Sequence, residues 1–210
     1  MLGFCFDGEY LSARDSFGSM STHSPRGAYS KGVARRAQIL KAALDAYATA
    51  GPQGPSLKSI AATVELTEAG VLHYFDSKEE LLVAILEARD AEYLNTYDLN
   101  SFDGVWTALS HTTSTPGLLK LFVDMTAAAA SADHPAHAFM QRRAAAIVEL
   151  LERLLGPGHA WQARVLLAAA EGLQIQWLRD PSTNIVADLQ RLKSALENEK
   201  RGGSTRRHVK

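Results

Sequence analysis

Side chains able to carry covalent chemistry are few and scattered. The chain has one cysteine, Cys5, so no disulfide closes within it, which suits a reducing compartment. No Cys/His spacing matches a zinc site. Of His111, His134 and His137, only the last two are close in sequence, and they flank Pro135. They read as solvated histidines rather than as metal ligands. No nucleophile-base pair, phosphate loop or cofactor motif stands out. What remains is a set of residues suited to non-covalent contact, concentrated between positions 31 and 78. Lys31, Arg35 and Arg36 come first, then Lys58 and Ser59, then Thr67, Glu68, Ala69, Gly70, His73 and Tyr74, and finally Lys78. Cations and hydroxyls of this kind contact phosphates, and small or hydrogen-bonding residues reach base edges. Net charge is -1, so any basic surface must come from local clustering rather than from the whole chain.

Two short helices position the densest part of this set, in the run SLKSIAATVELTEAGVLHYFDSK from Ser56 to Lys78. Ser56 is placed to cap the first, with Leu57, Ile60, Ala61 and Val64 inward. Glu65, Leu66 and Thr67 break it. Thr67 is placed to cap the second, whose N-terminus also draws a phosphate. Small Ala61 lets the two helices approach, and Val71, Leu72 and Phe75 lock the second against the first. That leaves Glu68, Ala69, Gly70, His73 and Tyr74 outward. The second helix is short because only its outer face and first turn need to enter a major groove. Around this pair, the spacing of Leu40, Ala43, Leu44 and Tyr47 predicts a helix over 30–50, stopped by Gly51, Pro52, Gly54 and Pro55. Ser77 and Glu80 form a capping box ahead of Leu81, Leu82, Ile85 and Leu86, predicting a fourth helix to about Leu94.

Residues Arg36 to Glu87 resemble the DNA-binding domain of the TetR family. The resemblance lies in AQILKAALDAYATAG, in SLKSIAATVELTEAGVLHYF and in DSKEELLVAILE, and the later EGLQIQWLRDP is similar to the penultimate-helix region of some members. It implies an all-α protein: a three-helix DNA-binding domain with a helix-turn-helix, joined to a larger helical ligand-binding and dimerisation domain. It also implies that Lys78 touches a DNA phosphate. Two positions depart from the family. Glu65 stands where the turn usually has Gly, and a left-handed conformation there costs a non-Gly residue about 1 kcal/mol. Leu72 stands where Tyr is usual, so the missing phosphate contact falls to Tyr74.

Beyond the fourth helix the pattern stays helical. Stretches over about 105–113, 116–131, 135–155, 159–179 and 184–198 bring the expected total to nine or ten helices. Pro116 suits a first helical position, and Gly156, Pro157 and Gly158 end the long 135–155 stretch. Trp106, Phe122, Met125, Phe139, Met140 and Trp177 are core candidates that could line an effector pocket, because aromatics beside Ala127 to Ala130 can leave an apolar cavity. The effector expected there is an uncharged or weakly acidic aromatic or lipid-like molecule. The apolar faces of the 135–155 and 159–179 helices exceed what one chain can cover. They predict a homodimer seam of Ala144, Ile147, Val148, Leu151, Leu155, Val165, Leu166, Ala169, Gly172 and Leu173.

The domain plan is therefore a disordered tail over 1–29, a DNA-binding domain over 30–78, an effector and dimerisation domain over 79–199, and a basic tail over 200–210. Met20 offers a second start. No secretory signal or membrane span is evident, and the expected location is the cytoplasm. The function expected is a sequence-specific DNA-binding regulator, a repressor released by a small effector, with a near-palindromic double-stranded operator and no cofactor or metal. Two other classes compete. One is a non-enzymatic protein-interaction bundle with a degenerate helix-turn-helix, favoured by Glu65, Glu68 and the near-neutral charge. The other is an all-α enzyme, which no motif supports.

Overall fold

In a computed structural model, residues 26–203 are described, with side chains from 31 to 198. Among them are nine helices and no strand: α1 Arg26–Thr49, α2 Leu57–Thr63, α3 Glu68–Leu72, α4 Lys78–Thr96, α5 Phe102–Thr112, α6 Pro116–Ala128, α7 Ala136–Leu155, α8 Ala160–Arg179 and α9 Ile185–Gly203. Helix ends follow local chemistry. Ser56, Thr67, Ser77 and Ser101 each accept a backbone N–H three residues on. Pro116 opens α6, and Gly156, at φ 95°, stops α7. The expected tail boundaries at 29 and 200 both fall inside helices, α1 and α9. The rest of the expected N-terminal tail, 1–25, and the last residues, 204–210, lie outside the described residues.

Two cores hold the helices together. The first joins α1 to α4 with α6 and α7 through Ile39, Tyr47, Ile60, Val71, Leu81 and Ile85 against Leu118, Leu121, Phe122 and Phe139. Packing thus runs unbroken across position 78, where the sequence suggested a domain boundary. On α1 the buried face is Ile39, Ala43 and Tyr47, while Leu40 and Leu44 are half-buried at its edge. The expected face was right in period and turned by one residue.

The second core joins α7, α8 and α9 through Leu151, Leu166, Ile185, Leu189 and Leu196, with Phe102, Val105, Trp106 and Leu109 of α5 packed on it. Leu151 and Leu166, expected on an outward seam, are 6% and 3% exposed and belong to this core. The other eight seam candidates, Ala144, Ile147, Val148, Leu155, Val165, Ala169, Gly172 and Leu173, are half-buried. No helix among the described residues is long and apolar enough to cross a membrane.

Candidate nucleic-acid interface and effector cavity

α2, the turn and α3 form a complete helix-turn-helix. The turn is a Schellman ending of α2: Leu66 N–H donates to the Ala61 carbonyl at 2.9 Å, and Glu65 N–H to that of Ala62 at 3.1 Å. The motif requires a left-handed residue, and Glu65 supplies it at φ 55°. Buried Ile60, Ala61, Val64, Val71 and Phe75 then fix α3 against α2 and α1. Fully burying a side chain such as Val71 is worth about 1.5–3 kcal/mol, so the angle between the helices is firmly set.

The outward set is largely as expected. Lys31, Arg36, Lys58, Ser59, Thr67, Glu68, Ala69, His73 and Lys78 are exposed, and Gly70 is half-buried. Lys58, Glu68 and Lys78 come together along one groove beside Lys120 and Asp124 of α6. A Cβ on Gly70 would lie 3.3 Å from Thr67 Oγ1, so the small residue accommodates the cap hydroxyl that its own N–H binds at 3.0 Å. Two positions exchange roles. Leu72, expected inward, is half-exposed and stands outside the core, whereas Tyr74, expected outward, packs against it with its ring edge to His73.

Two cations of the first helix have intramolecular work. Arg35 donates to the Val64 carbonyl at the end of α2 and, at 2.6 Å, to Gln38. It ties α1 to the turn. Arg36 lies 4.5 Å over the Phe75 ring, a cation–π contact that leaves the side chain exposed.

The larger half of the molecule holds a cavity of about 170 Å³ among α4 to α9. Of the six expected lining residues, Trp106 and Phe122 line it. Met125 and Phe139 are buried in the first core, Met140 packs on that core, and Trp177 packs on the second. A polar group that reaches the wall through Arg143 was not foreseen. Asp90 accepts from Arg89 Nη2 at 2.9 Å and from Arg143 Nε at 2.7 Å, joining α4 to α7. Phe122 of α6 lies beneath both guanidiniums, 5.3 Å from that of Arg89 and 4.6 Å from that of Arg143. Burial works to raise the Asp90 carboxyl, but the two arginines outweigh it and hold it below its ordinary value. Glu171 faces the other way: burial pushes its carboxyl up, with Arg143 opposing. A signal for this group exists in the sequence, since Arg143 interrupts the apolar row Phe139, Ile147, Leu151 and Arg89 follows Ile85 by one turn.

The three candidate histidines are engaged in local structure. His111 Nδ1 is 3.2 Å from the Tyr93 hydroxyl, His134 Nδ1 accepts the Ala136 N–H at 3.1 Å, and His137 Nδ1 donates to the Ala129 carbonyl at 2.7 Å.

The family model for bacterial regulatory proteins of the tetR family matches residues 39–85, from mid-α1 into α4. Among solved structures, the chain is similar to a transcriptional regulator from Rhodococcus sp. RHA1, at 18% identity and TM-score 0.55 over 76% of this chain and 94% of that one. A TetR transcriptional regulator from the same organism matches at 20% identity and TM-score 0.55, over 76% and 94%. A transcriptional regulator from Pseudomonas aeruginosa PAO1 matches at 20% identity and TM-score 0.52, over 79% and 91%. At such identities these likenesses show the fold. No curated protein matches the chain. The family match falls on α1 to α4, including Lys58, Lys78 and α3, and the all-α fold continues beyond it as in those structures, so residues 39–85 form a domain of the tetR type of bacterial regulatory proteins.

Proposed function

We propose that the protein is a repressor that binds a near-palindromic operator as a homodimer and releases it when a small molecule fills the cavity. One observation carries this reading. The Arg89–Asp90–Arg143 cluster and Phe122 tie α4, α6 and α7 together, Arg143 and Phe122 line the cavity, and α4 and α6 also form part of the core that seats the helix-turn-helix. A ligand that moves this wall has a mechanical route to the recognition helices, and it shifts the equilibrium by its differential affinity for the two arrangements. DNA contact falls to Lys78, Lys58, Ser59, Lys31 and the α3 face of Thr67, Glu68, Ala69, Gly70 and His73. Tyr74 and Arg35 serve that face mainly by holding it in place. The tetR-family match does not favour the interaction-bundle reading.

Dimerisation is supported by α8. Trp161, Val165, Ala168, Gly172 and Ile175 form one helical stripe, in which Trp161 is 54% and Ile175 37% exposed. A Cβ on Gly172 would meet nothing within 4 Å, so a partner helix has room to approach. Ala144, Val148 and Leu155 of α7 are half-buried. An obligate interface there should bury at least about 2,000 Å² in total. Ala168→Glu with Ile175→Glu should convert the dimer to a folded monomer in light scattering and weaken operator binding with it. Leu151 is unsuited to this test, because a charge there disrupts the monomer's own core. A parent protein that is monomeric at micromolar concentration would refute both the dimer and the palindromic operator.

A further inference from the structure

The cavity is small, apolar on most sides and polar at one end. Leu99, Val105, Trp106, Leu109, Phe122 and Ile147 contribute apolar wall, and Arg143, Glu171 and Gln174 the polar end. Its volume of about 170 Å³ is close to that of an engineered apolar cavity that holds benzene, about 150 Å³.

The polar end distinguishes among ligands in two ways. First, its charges cancel. Arg143 and Glu171, the charged groups on the wall, are opposite in sign, and behind the wall Asp90 pairs with Arg143 and Arg89. An ionised ligand would bring an uncompensated charge into a largely apolar chamber, which is strongly unfavourable. Second, one acceptor is unused. Gln174 is 8% exposed, and its Oε1 is buried without a hydrogen-bond partner. Buried polar atoms are almost always paired, so an orphan on a side chain that lines the cavity points to where a ligand group belongs. Glu171, one turn earlier on α8, adds a second acceptor on the same wall. Gln174 Oε1 lacks a donor.

We infer that the cavity takes an uncharged single-ring aromatic molecule bearing one O–H or N–H donor, with the ring against Trp106 and Phe122 and the donor on Gln174 Oε1. This rests on the reading of the cavity as the effector site and narrows it: carboxylate and amine ligands are disfavoured, and so are long lipid chains.

The test is calorimetric titration of the full chain with four probes of similar size: phenol, toluene, benzoate and benzylamine. Phenol should bind at least about tenfold more tightly than toluene, since a site built to hydrogen-bond a hydroxyl rejects the analogue without it. Both charged rings should bind more weakly than toluene. Gln174→Met, of similar size, should abolish the preference for phenol, leave toluene binding intact and not lower Tm. Equal affinity for phenol and toluene in the parent, tightest binding of a charged ring, or no binding of any ring would overturn the inference, and the parent series decides this even if the variant fails to fold. A parallel gel shift separates the two proposals. Phenol that binds with the expected preferences but leaves DNA retardation unchanged upholds the chemistry of the cavity and removes its role as the regulatory switch.

Discussion

At the scale of single residues, the turn of the helix-turn-helix is held at some cost. Glu65 adopts φ 55° because the Schellman ending demands it, and among the described residues its side chain gains no hydrogen bond that would favour that conformation. Glu65→Gly should therefore raise stability by about 1 kcal/mol, visible as a higher Tm, with the turn unchanged. A variant of lower Tm would mean that Glu65 makes a compensating interaction. Asp90 offers a test through pH. Its folded-state carboxyl titrates below its ordinary value, so its contribution is complete above the unfolded pKa, about 4, and is lost as pH falls through the lowered folded value. Asp90→Asn should cost about 2–3 kcal/mol near neutrality, and the gap to the parent should close toward pH 3 in urea titrations. Glu171 and Glu87, both raised by burial, contribute in the opposite sense, and because Asp90 helps to raise Glu87, part of that opposing contribution leaves with it in the variant. Glu65 was legible in the sequence because a turn of known shape surrounds it. The role of Arg35 was not, because its acceptor, the Val64 carbonyl, is 29 residues away.

At the scale of elements, α6 links the two halves. Gly117, in its first turn, donates its N–H to the Ala50 carbonyl just past α1 at 3.2 Å. A Cβ there would stand 2.5 Å from the Tyr47 carbonyl oxygen and 3.0 Å from that of Ala50, both fixed backbone atoms. Gly117→Ala should push α6 away from α1 and cost about 1–3 kcal/mol in a denaturant titration. It should also alter how strongly a cavity ligand changes DNA affinity, whereas the same cost with an unchanged response would make the contact merely structural. Helix existence and most helix ends were readable, because Ser and Thr caps, Pro116 and Gly156 act locally. The rotation of helices about their axes was less so. Ile39 rather than Leu40 faces the core, Tyr74 replaces Leu72 there, and Leu151 and Leu166 turn inward. Each difference is set by which neighbouring helix arrives from far along the chain, and periodicity alone carries no such information.

At the scale of the whole molecule, one core spans the DNA-binding helices and α6, and a second gathers α5 and α7 to α9. The cavity lies where Phe122 of the first core meets Trp106, Leu166 and Leu189 of the second. The helix-turn-helix was readable in the sequence, as was the exposure of Glu68 and Ala69 on α3, whereas the packing of α1 to α4 on α6 and α7 across the expected boundary at 78 was not. The charged cluster that joins them was not recognised, although Arg143 in an apolar row signalled it. The most direct test of the account is equilibrium binding of the parent and Lys78→Ala to DNA from upstream of its own gene, across a range of salt. The parent should bind with Kd of about 10⁻⁸ M or tighter at physiological salt. Lys78→Ala should bind all sequences more weakly, with the slope of log affinity against log salt reduced by about 1 and thermal stability unchanged. A parent that binds this DNA no better than random duplex, or a Lys78→Ala variant with the parent's affinity and slope, would contradict the placement of the interface.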